Sequence, residues 1–478
     1  MKRELRLLIS VAKTACGFPW INIIKLIRNY QSQTGERLRC GAMTTHSSIF
    51  PHKIRYNSFG QKMSKYLIDG GKRLNGEVRV QRAKNSALTL IAASVLIRGA
   101  VKIVGCPLIN DVFVMVKILE RIGARCEFLS DGLIVDCSHI YTTKLPDKLT
   151  GEVRASFFIT GALLSRFKTA SLIRPGGCNI GARPIDIHLE GFKALGAECG
   201  ESDCRLNFYA EKLSGATFRL KYPSVGATEN LLMAATLADG VTVLDNCARE
   251  PEIKDLQDFL NMCGAKITGA GTRRITVCGV RSLRGGIEFI PIADRIEAGT
   301  YLLAALACGG EVSIKGVRYE NISPLIEKIK NNTCKLYLDS DNIYINAVGT
   351  PIGFGNVVTA PYPLFPTDLQ PQLTAVAAGA HGRTVVTETV FDSRFRYVDE
   401  LVKMGADVAV AGDTAVVVGK RLYGAEVAAN DLRGGAALTI AALSAEGRST
   451  LSGVEHLERG YDGFFEKLKD LGASVMRK

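Results

Sequence analysis

From Met63 onward the chain repeats one unit six times, and no other feature restricts its fold as strongly. Each unit pairs a small-residue, nearly all-apolar helix with a strand, a second helix and a further strand. The first helices are predicted over 83–96, 153–164, 224–237, 294–307, 367–378 and 431–443. A helix that is apolar on every side belongs in an interior, not on an amphipathic surface. The second helices run into Ile122-Gly-Ala, Leu195-Gly-Ala, Cys263-Gly-Ala, Met404-Gly-Ala and Leu471-Gly-Ala. Glycine there is the residue that accepts the left-handed conformation of a helix stop. The copy around Ile326-Glu-Lys-Ile-Lys is degenerate and lacks the Gly-Ala. Six α/β units divide into two groups of three, about 85–292 and 293–478, giving two similar domains with a cleft between them, where ligands prefer to sit.

The starts of the interior helices carry Lys84 and Asn85, Arg154, Ser224, Asp294 and Arg295, Thr367 and Asp368, and Asp431 and Arg433. Ordinary capping accounts for Ser224, Thr367 and the aspartates as well as any ligand role does. It does not account for Lys84, Arg154, Arg295 and Arg433, because a cation at a helix N-terminus opposes the dipole. Cations so placed call for an anion.

The net charge of +13 could point to nucleic acid, but its distribution does not. Residues 1–62 hold 11 Lys/Arg and 2 Asp/Glu, so the remaining 416 residues carry only +4, and no nucleic-acid partner is expected. That first segment holds the only tryptophan and shares nothing with the repeats. Its basic, acid-poor composition fits an organelle transit peptide; a translated leader upstream of a start at Met63 is the favoured alternative. The thirteen cysteines are scattered with no C-x-x-C, and the six histidines lie far apart. Neither a disulfide framework nor a metal site is expected, and the cytoplasm is the expected compartment. No apolar run approaches the roughly 18 residues that span a bilayer, so no membrane association is expected.

One loop stands out: Arg174-Pro-Gly-Gly-Cys-Asn-Ile-Gly-Ala-Arg-Pro-Ile-Asp-Ile-His188. It sets Cys178 among glycines and between two arginines, whose charge favours the thiolate. A surface turn with an incidental thiol is the alternative. There is no phosphate-binding P-loop, dinucleotide fingerprint, nucleophile elbow or kinase set. The remaining ionisable candidates are Asp186, His188, Glu250, Asp368 and Asp392, with arginines at 154, 183, 394, 433 and 459. Many arginines with few metal-type ligands suggest a polyanionic substrate neutralised by protein.

Longer motifs then appear in order: Leu74-x-Gly-Glu-Val, Ala83-Lys-Asn-Ser-Ala-Leu, Pro175-Gly-Gly-Cys-x-Ile-Gly-Ala-Arg-Pro, Arg249-Glu-Pro-Glu-Ile, Ala360-Pro-Tyr-Pro-x-Phe-Pro-Thr-Asp-Leu-Gln, Asp431-Leu-Arg-Gly-Gly and Arg459-Gly-Tyr. Over these motifs the chain resembles the UDP-N-acetylglucosamine 1-carboxyvinyltransferase family. The resemblance implies an inside-out α/β barrel of two domains with three repeats each. The first domain would be discontinuous, 63–84 with 293–478; the second, 85–292, would carry the Cys178 loop; residues 1–62 would be an extension. It implies a monomer with no cofactor or metal, whose substrates are phosphoenolpyruvate and UDP-N-acetylglucosamine. The family transfers the enolpyruvyl group to the sugar 3′-hydroxyl by addition and elimination, releasing phosphate, in peptidoglycan precursor synthesis.

Carried over residue by residue, the resemblance makes Cys178 the proton donor of the loop and a site for alkylation by fosfomycin. Asp368 becomes a base candidate beside the sugar hydroxyl. Lys84, Arg183 and Arg459 match phosphoenolpyruvate contacts, with Asn85 beside Lys84. Arg154, the run Arg183, Pro184, Ile185, Asp186 and Ile187, the segment Tyr222, Pro223, Ser224 and Val225, Asp368 and Val390 fall where the family binds the nucleotide sugar. Arg394 and Arg433 match further active-site arginines. Two positions depart from the pattern: Arg82 stands where glycine is usual and Asp392 where glutamate is expected. Arg82 could therefore shift the hinge or the donor site. The nearest alternative is 5-enolpyruvylshikimate-3-phosphate synthase, which shares fold and donor but is not expected to carry a Pro-Gly-Gly-Cys loop. A binding paralogue without turnover is the alternative of another class.

Overall fold

The structure is a computed structural model that describes residues 64–176, 181 and 183–478. Residues 1–63 and Cys178 lie outside the described residues. Among the described residues six helices form the interior: α1 (Lys84–Ala93), α2 (Phe158–Phe167), α3 (Val225–Ala235), α4 (Arg295–Cys308), α5 (Gln370–Ala378) and α6 (Leu432–Ser444). Three of them begin later than the periodicity suggests or end in a tighter turn: Ser94–Leu96 closes α1, while Arg154–Phe157 and Thr367–Leu369 precede α2 and α5 as 3-10 turns. Nearly every residue of these helices is buried, as their all-round apolar composition requires.

The strands lie outside them. Each interior helix feeds a small sheet with one buried face, as in Thr169–Ile173 and Arg383–Thr387. Among the described residues six sheets of three or four strands result, plus a two-stranded ribbon of Leu283–Arg284 on Ile97–Arg98. The strands form no closed barrel among the described residues; helices occupy the centre and sheets the periphery. The repeat is explicit in the backbone. The five second helices that run into Gly-Ala stop at Gly123, Gly196, Gly264, Gly405 and Gly472, all with φ between +89° and +116°. The degenerate sixth, Ser323–Ile329, ends at Lys330 in ordinary helical geometry.

Buried apolar side chains form two clusters. One spans Ala87 to Phe289; the other joins Tyr66–Val80 to Ala293–Val475. In the second lobe of sequence α4, α5 and α6 pack on one another; in the first, α2 packs on α1 and α3. The chain crosses between the lobes twice, side by side. Ala83 N–H donates to Ile292 O at 2.8 Å and Asp294 N–H to Gln81 O at 2.9 Å. The side chain of Gln81 ties this crossing to a third segment: its Nε2 donates to Gly460 O at 2.8 Å and its Oε1 accepts from Asp462 N–H at 2.7 Å. Arg82 forms a bridge with Ala293 and lays its stem against Gly105, where an added Cβ would come within 3.1 Å of Arg82 Cγ.

Candidate active site

A cavity of about 660 Å³ opens between the two lobes, and the starts of the interior helices line it. Lys84 and Asn85 come from α1, Arg154 from the turn before α2, Ser224 and Val225 from the start of α3, Arg295 from α4, Thr367 and Asp368 from the turn before α5, and Asp431 and Arg433 from α6. The repeat therefore builds the site: six equivalent helix starts are aimed at one cleft. Capping fixes several of them. Ser224 Oγ accepts from Ala227 N–H at 3.3 Å, Asp294 from Ile296 and Glu297, and Asp431 from Arg433 and Gly434. Thr367 does not cap; its hydroxyl donates to Glu388 Oε2 at 2.9 Å.

Three of the four cations at the helix starts, Lys84, Arg295 and Arg433, pair with the chain's own carboxylates, whereas Arg154 donates to backbone carbonyls. Lys84 Nζ lies 2.9 Å from Asp111 Oδ2, and Arg459 Nε from the opposite lobe donates to Asp111 Oδ1 at 2.9 Å. Arg295 Nε donates to Glu252 Oε1 at 3.1 Å. Arg394 and Arg433 grip Asp368 at 2.8 and 3.1 Å. The bare expectation that these cations need an external anion is thus corrected: internal anions balance the dipole conflict at Lys84, Arg295 and Arg433. Room for a ligand's charge remains. Arg433 Nη1 and Arg394 Nε are buried with no hydrogen-bond partner among the described residues.

Burial works against the Asp368 carboxylate, yet Arg433 and then Arg394 outweigh it and hold its pKa well below the usual range. Asp111 behaves likewise: burial raises it, Lys84 and Arg459 pull it down, and the net shift is downward. Burial lowers the Lys84 ammonium, with Arg433 and Arg459 adding to the effect against Asp111. Burial, with Arg154 nearby, drops His188 to about 3. His188 lines the cavity but sits neutral against Asn230 Nδ2 at 3.2 Å and edge-on to Phe157, so it is no acid–base group near neutral pH.

Arg154 ties together the two flanks of the cysteine loop. It reaches Arg183 O at 2.5 Å and Pro175 O at 3.5 Å. Gly181, at φ +122°, faces the opposite lobe so closely that a Cβ would stand 3.1 Å from Asp392 N. The lobes meet again where Tyr362 N–H donates to Glu250 Oε1 at 3.3 Å.

Lys84, Asn85, Arg154, Arg183, Pro184, Asp186, Ile187, Tyr222, Pro223, Ser224, Val225, Asp368, Val390, Arg394, Arg433 and Arg459 all line this cavity. Ile185 does not; it is 6% exposed and belongs to the core behind. Arg82 is not among the lining residues either. Asp111, Glu229 and Phe391 line it and were not singled out from the sequence; Glu252 and Tyr362 line it too and lie within the quoted motifs, which gave them no role. Among the described residues no group of three or more His, Cys, Asp or Glu could hold a metal ion, and no helix is long and apolar enough to cross a membrane.

Two three-helix lobes enclosing a cleft rich in arginines, two of them paired with Asp368, form a site suited to polyanionic substrates. Comparison with known proteins makes this particular. The family model of EPSP synthase (3-phosphoshikimate 1-carboxyvinyltransferase) matches residues 68–468. UDP-N-acetylglucosamine 1-carboxyvinyltransferase 2 of Caldanaerobacter subterraneus subsp. tengcongensis is 48% identical over 416 residues, covering 87% of this chain and all of the relative. The UDP-N-acetylglucosamine 1-carboxyvinyltransferase of Halothermothrix orenii is 44% identical over 415 residues, again 87% of this chain and all of the relative. Among solved structures, the enolpyruvyl transferase NikO from Streptomyces tendae superposes with a TM-score of 0.78 at 26% identity, over 87% of this chain and 99% of that one. An EPSP synthase from Acinetobacter baumannii, at TM-score 0.66 and 18% identity over 87% and 100% of the two chains, shares the fold. The chain belongs to this enolpyruvyl (carboxyvinyl) transferase family, within its UDP-N-acetylglucosamine 1-carboxyvinyltransferase members, and has their two-domain inside-out α/β fold.

Proposed function

We propose that the protein transfers the enolpyruvyl group of phosphoenolpyruvate to the 3′-hydroxyl of UDP-N-acetylglucosamine, releasing phosphate. The carrying observation is the convergence of Lys84, Arg183, Arg394, Arg433 and Arg459 from two lobes on one cleft centred on Asp368. Both substrates are polyanions, and preorganised cations stabilise the charge they bring together. The names and close similarity of the relatives support the choice of acceptor.

In the addition step C3 of phosphoenolpyruvate gains a proton while the sugar oxygen bonds to C2. In the elimination step C3 loses a proton and the C2–O bond to phosphate breaks, which restores the vinyl group. Cys178 is the proposed proton donor. Asp368 is the proposed acceptor of the hydroxyl proton, and its two arginines give that role a condition. While Arg394 and Arg433 both bind it, the carboxylate is a weak base. It gains basicity when substrate anions draw those guanidinium groups away, so deprotonation is tied to a filled site. Lys84, Asn85, Arg183 and Arg459 are assigned to the donor, and Arg154, the 183–187 run, Tyr222–Val225 and Val390 to the nucleotide sugar.

The two cores are proposed as the domains that close on the substrates, 63–84 with 293–478 against 85–292. The same reading makes the chain a cytoplasmic monomer, which light scattering and cell fractionation test. Phosphate release is the decisive measurement for the reaction. Turnover is expected with phosphoenolpyruvate plus UDP-N-acetylglucosamine; release only with shikimate 3-phosphate would sink the assignment.

A further inference from the structure

Phe391 has no place in the chemistry, yet two of the arginines lie over its ring. Arg183 Cζ is 5.4 Å from the ring centroid and Arg394 Cζ is 5.6 Å. Both distances fall within the reach of roughly 6 Å over which a guanidinium is attracted by the electron-rich face of an aromatic ring. The two cations come from opposite sides of the cleft: Arg183 follows the cysteine loop of one lobe, and Arg394 belongs to the other lobe beside Asp368.

The turn that carries the ring is also anchored. The N–H groups of Val390 and Phe391 donate to Glu388 Oε1 at 2.9 and 3.2 Å, and the other oxygen of Glu388 accepts from Thr367 Oγ1. Glu388 is 3% exposed, so this turn is anchored in the lobe and joined to the segment that carries Asp368. The next two residues, Asp392 and Ser393, are the backbone against which Gly181 abuts. Phe391 therefore stands at the seam where the lobes touch, between a cation that arrives with one lobe and a cation that pairs with Asp368 in the other.

We propose that Phe391 is a positioning residue that holds Arg183 and Arg394 across the closed cleft by cation–π contact. Two like charges brought to one seam repel; a shared aromatic ring gives each an attractive neighbour that is not the other's counter-ion. Closure then delivers Arg183 to the substrates in register with the Arg394–Asp368 pair. This inference rests on the reaction proposed above.

The test separates a π role from apolar filling. Phe391→Leu keeps apolar bulk and removes the aromatic face, whereas Phe391→Trp keeps the face and strengthens it. Steady-state kinetics with phosphoenolpyruvate and UDP-N-acetylglucosamine, plus unfolding midpoints, are measured for wild type and both variants. Phe391→Leu is expected to lose roughly tenfold or more in kcat/KM for phosphoenolpyruvate with an unchanged midpoint, and Phe391→Trp to stay within about threefold of wild type. Should the leucine variant lose its cooperative unfolding transition, Phe391→Met takes its place with the same expectation. Wild-type kinetics in the leucine or methionine variant would overturn the inference, and so would a tryptophan variant as impaired as leucine. If the wild type itself fails to turn over these substrates, the reaction assignment falls and the inference with it; an active wild type with an unaffected leucine variant sinks the inference alone.

Discussion

Asp368 concentrates the site's electrostatics in one side chain, and its removal should have two separable effects. Arg394 and Arg433 are 2% and 5% exposed, so Asp368→Ala leaves two buried guanidinium groups without their carboxylate. Breaking a buried pair from one side costs about 3 kcal/mol or more. Asp368→Ala is expected to lower the unfolding free energy by about that amount and kcat by roughly a thousandfold or more; chemical denaturation and phosphate release measure the two. Unchanged turnover would remove Asp368 from the chemistry. Because its folded pKa is depressed, the stability it contributes is present above the unfolded carboxylate value of about 3.9 and is lost only as pH falls through the folded value below that. Asp368 therefore contributes no acid limb between about pH 5 and 8 to the profile of kcat/KM, which reports the free enzyme. His188 acts differently. Its folded pKa is about 3, below the ordinary value of about 6.5, so the unfolded chain takes up a proton that the folded chain refuses. Stability is then expected to fall as pH drops from about 6.5 towards about 3. Comparing unfolding free energies at about pH 7 and 4.5, His188→Gln should lose less on acidification than wild type; equal losses would show that His188 charges freely in the folded protein.

The interior helices are the elements on which the site depends, and their N-caps translate sequence into geometry. Asp431 accepts from Arg433 N–H at 2.9 Å and Gly434 N–H at 3.0 Å, and Arg433 then reaches Asp368. Asp431→Ala should cost about 1 kcal/mol through the lost cap and also lower kcat/KM, whereas Asp431→Asn should restore most of the stability. Thermal unfolding with kinetics on the same samples checks both; a loss of stability with intact kinetics would show that α6 starts correctly without its cap. Helices of this kind were legible in the sequence, because all-apolar segments behind polar starts and Gly-Ala stops declare themselves locally. The pairing of Arg433 with Asp368 was not, and neither was that of Lys84 and Arg459 with Asp111. Asp111 reads as an ordinary acidic residue in the first turn of the Asn110–Ile122 helix, and only the tertiary fold brings Arg459 to it. Phe391 escaped for the same reason, and so did the partners of Glu252 and Tyr362, although both lie in quoted motifs: those partners come from distant repeats, and no local pattern encodes that proximity. The anionic character of the substrate was inferred from cations at helix starts; the structure shows that internal carboxylates already satisfy part of that demand.

At the scale of the whole molecule, the strand order fixes where the folding unit can begin. Tyr66–Asp69 is not an edge. It lies between Arg448–Ser452 and Ser474–Arg477, antiparallel to both, with Ile68 facing Ser449 on one side and Val475 on the other. Tyr66 stacks on Phe465 at 3.8 Å, and Asp69 accepts from Arg448 and Ser474. Every residue that lines the large cavity lies between Lys84 and Arg459. A chain that begins at Met63 keeps this central strand and all of the cleft, and it is expected to match the full chain in kcat/KM and unfolding midpoint. A chain that begins at Leu74 loses the strand although it keeps every cleft residue. The two strands that flank it would then present unpaired edges, a template for association. That shorter chain is expected to be inactive and to aggregate, read by light scattering and phosphate release. Equal activity in the two shortened chains would show that the last sheet holds together without its middle strand. Lower activity in the chain from Met63 than in the full chain would instead give residues 1–62 a part in the reaction.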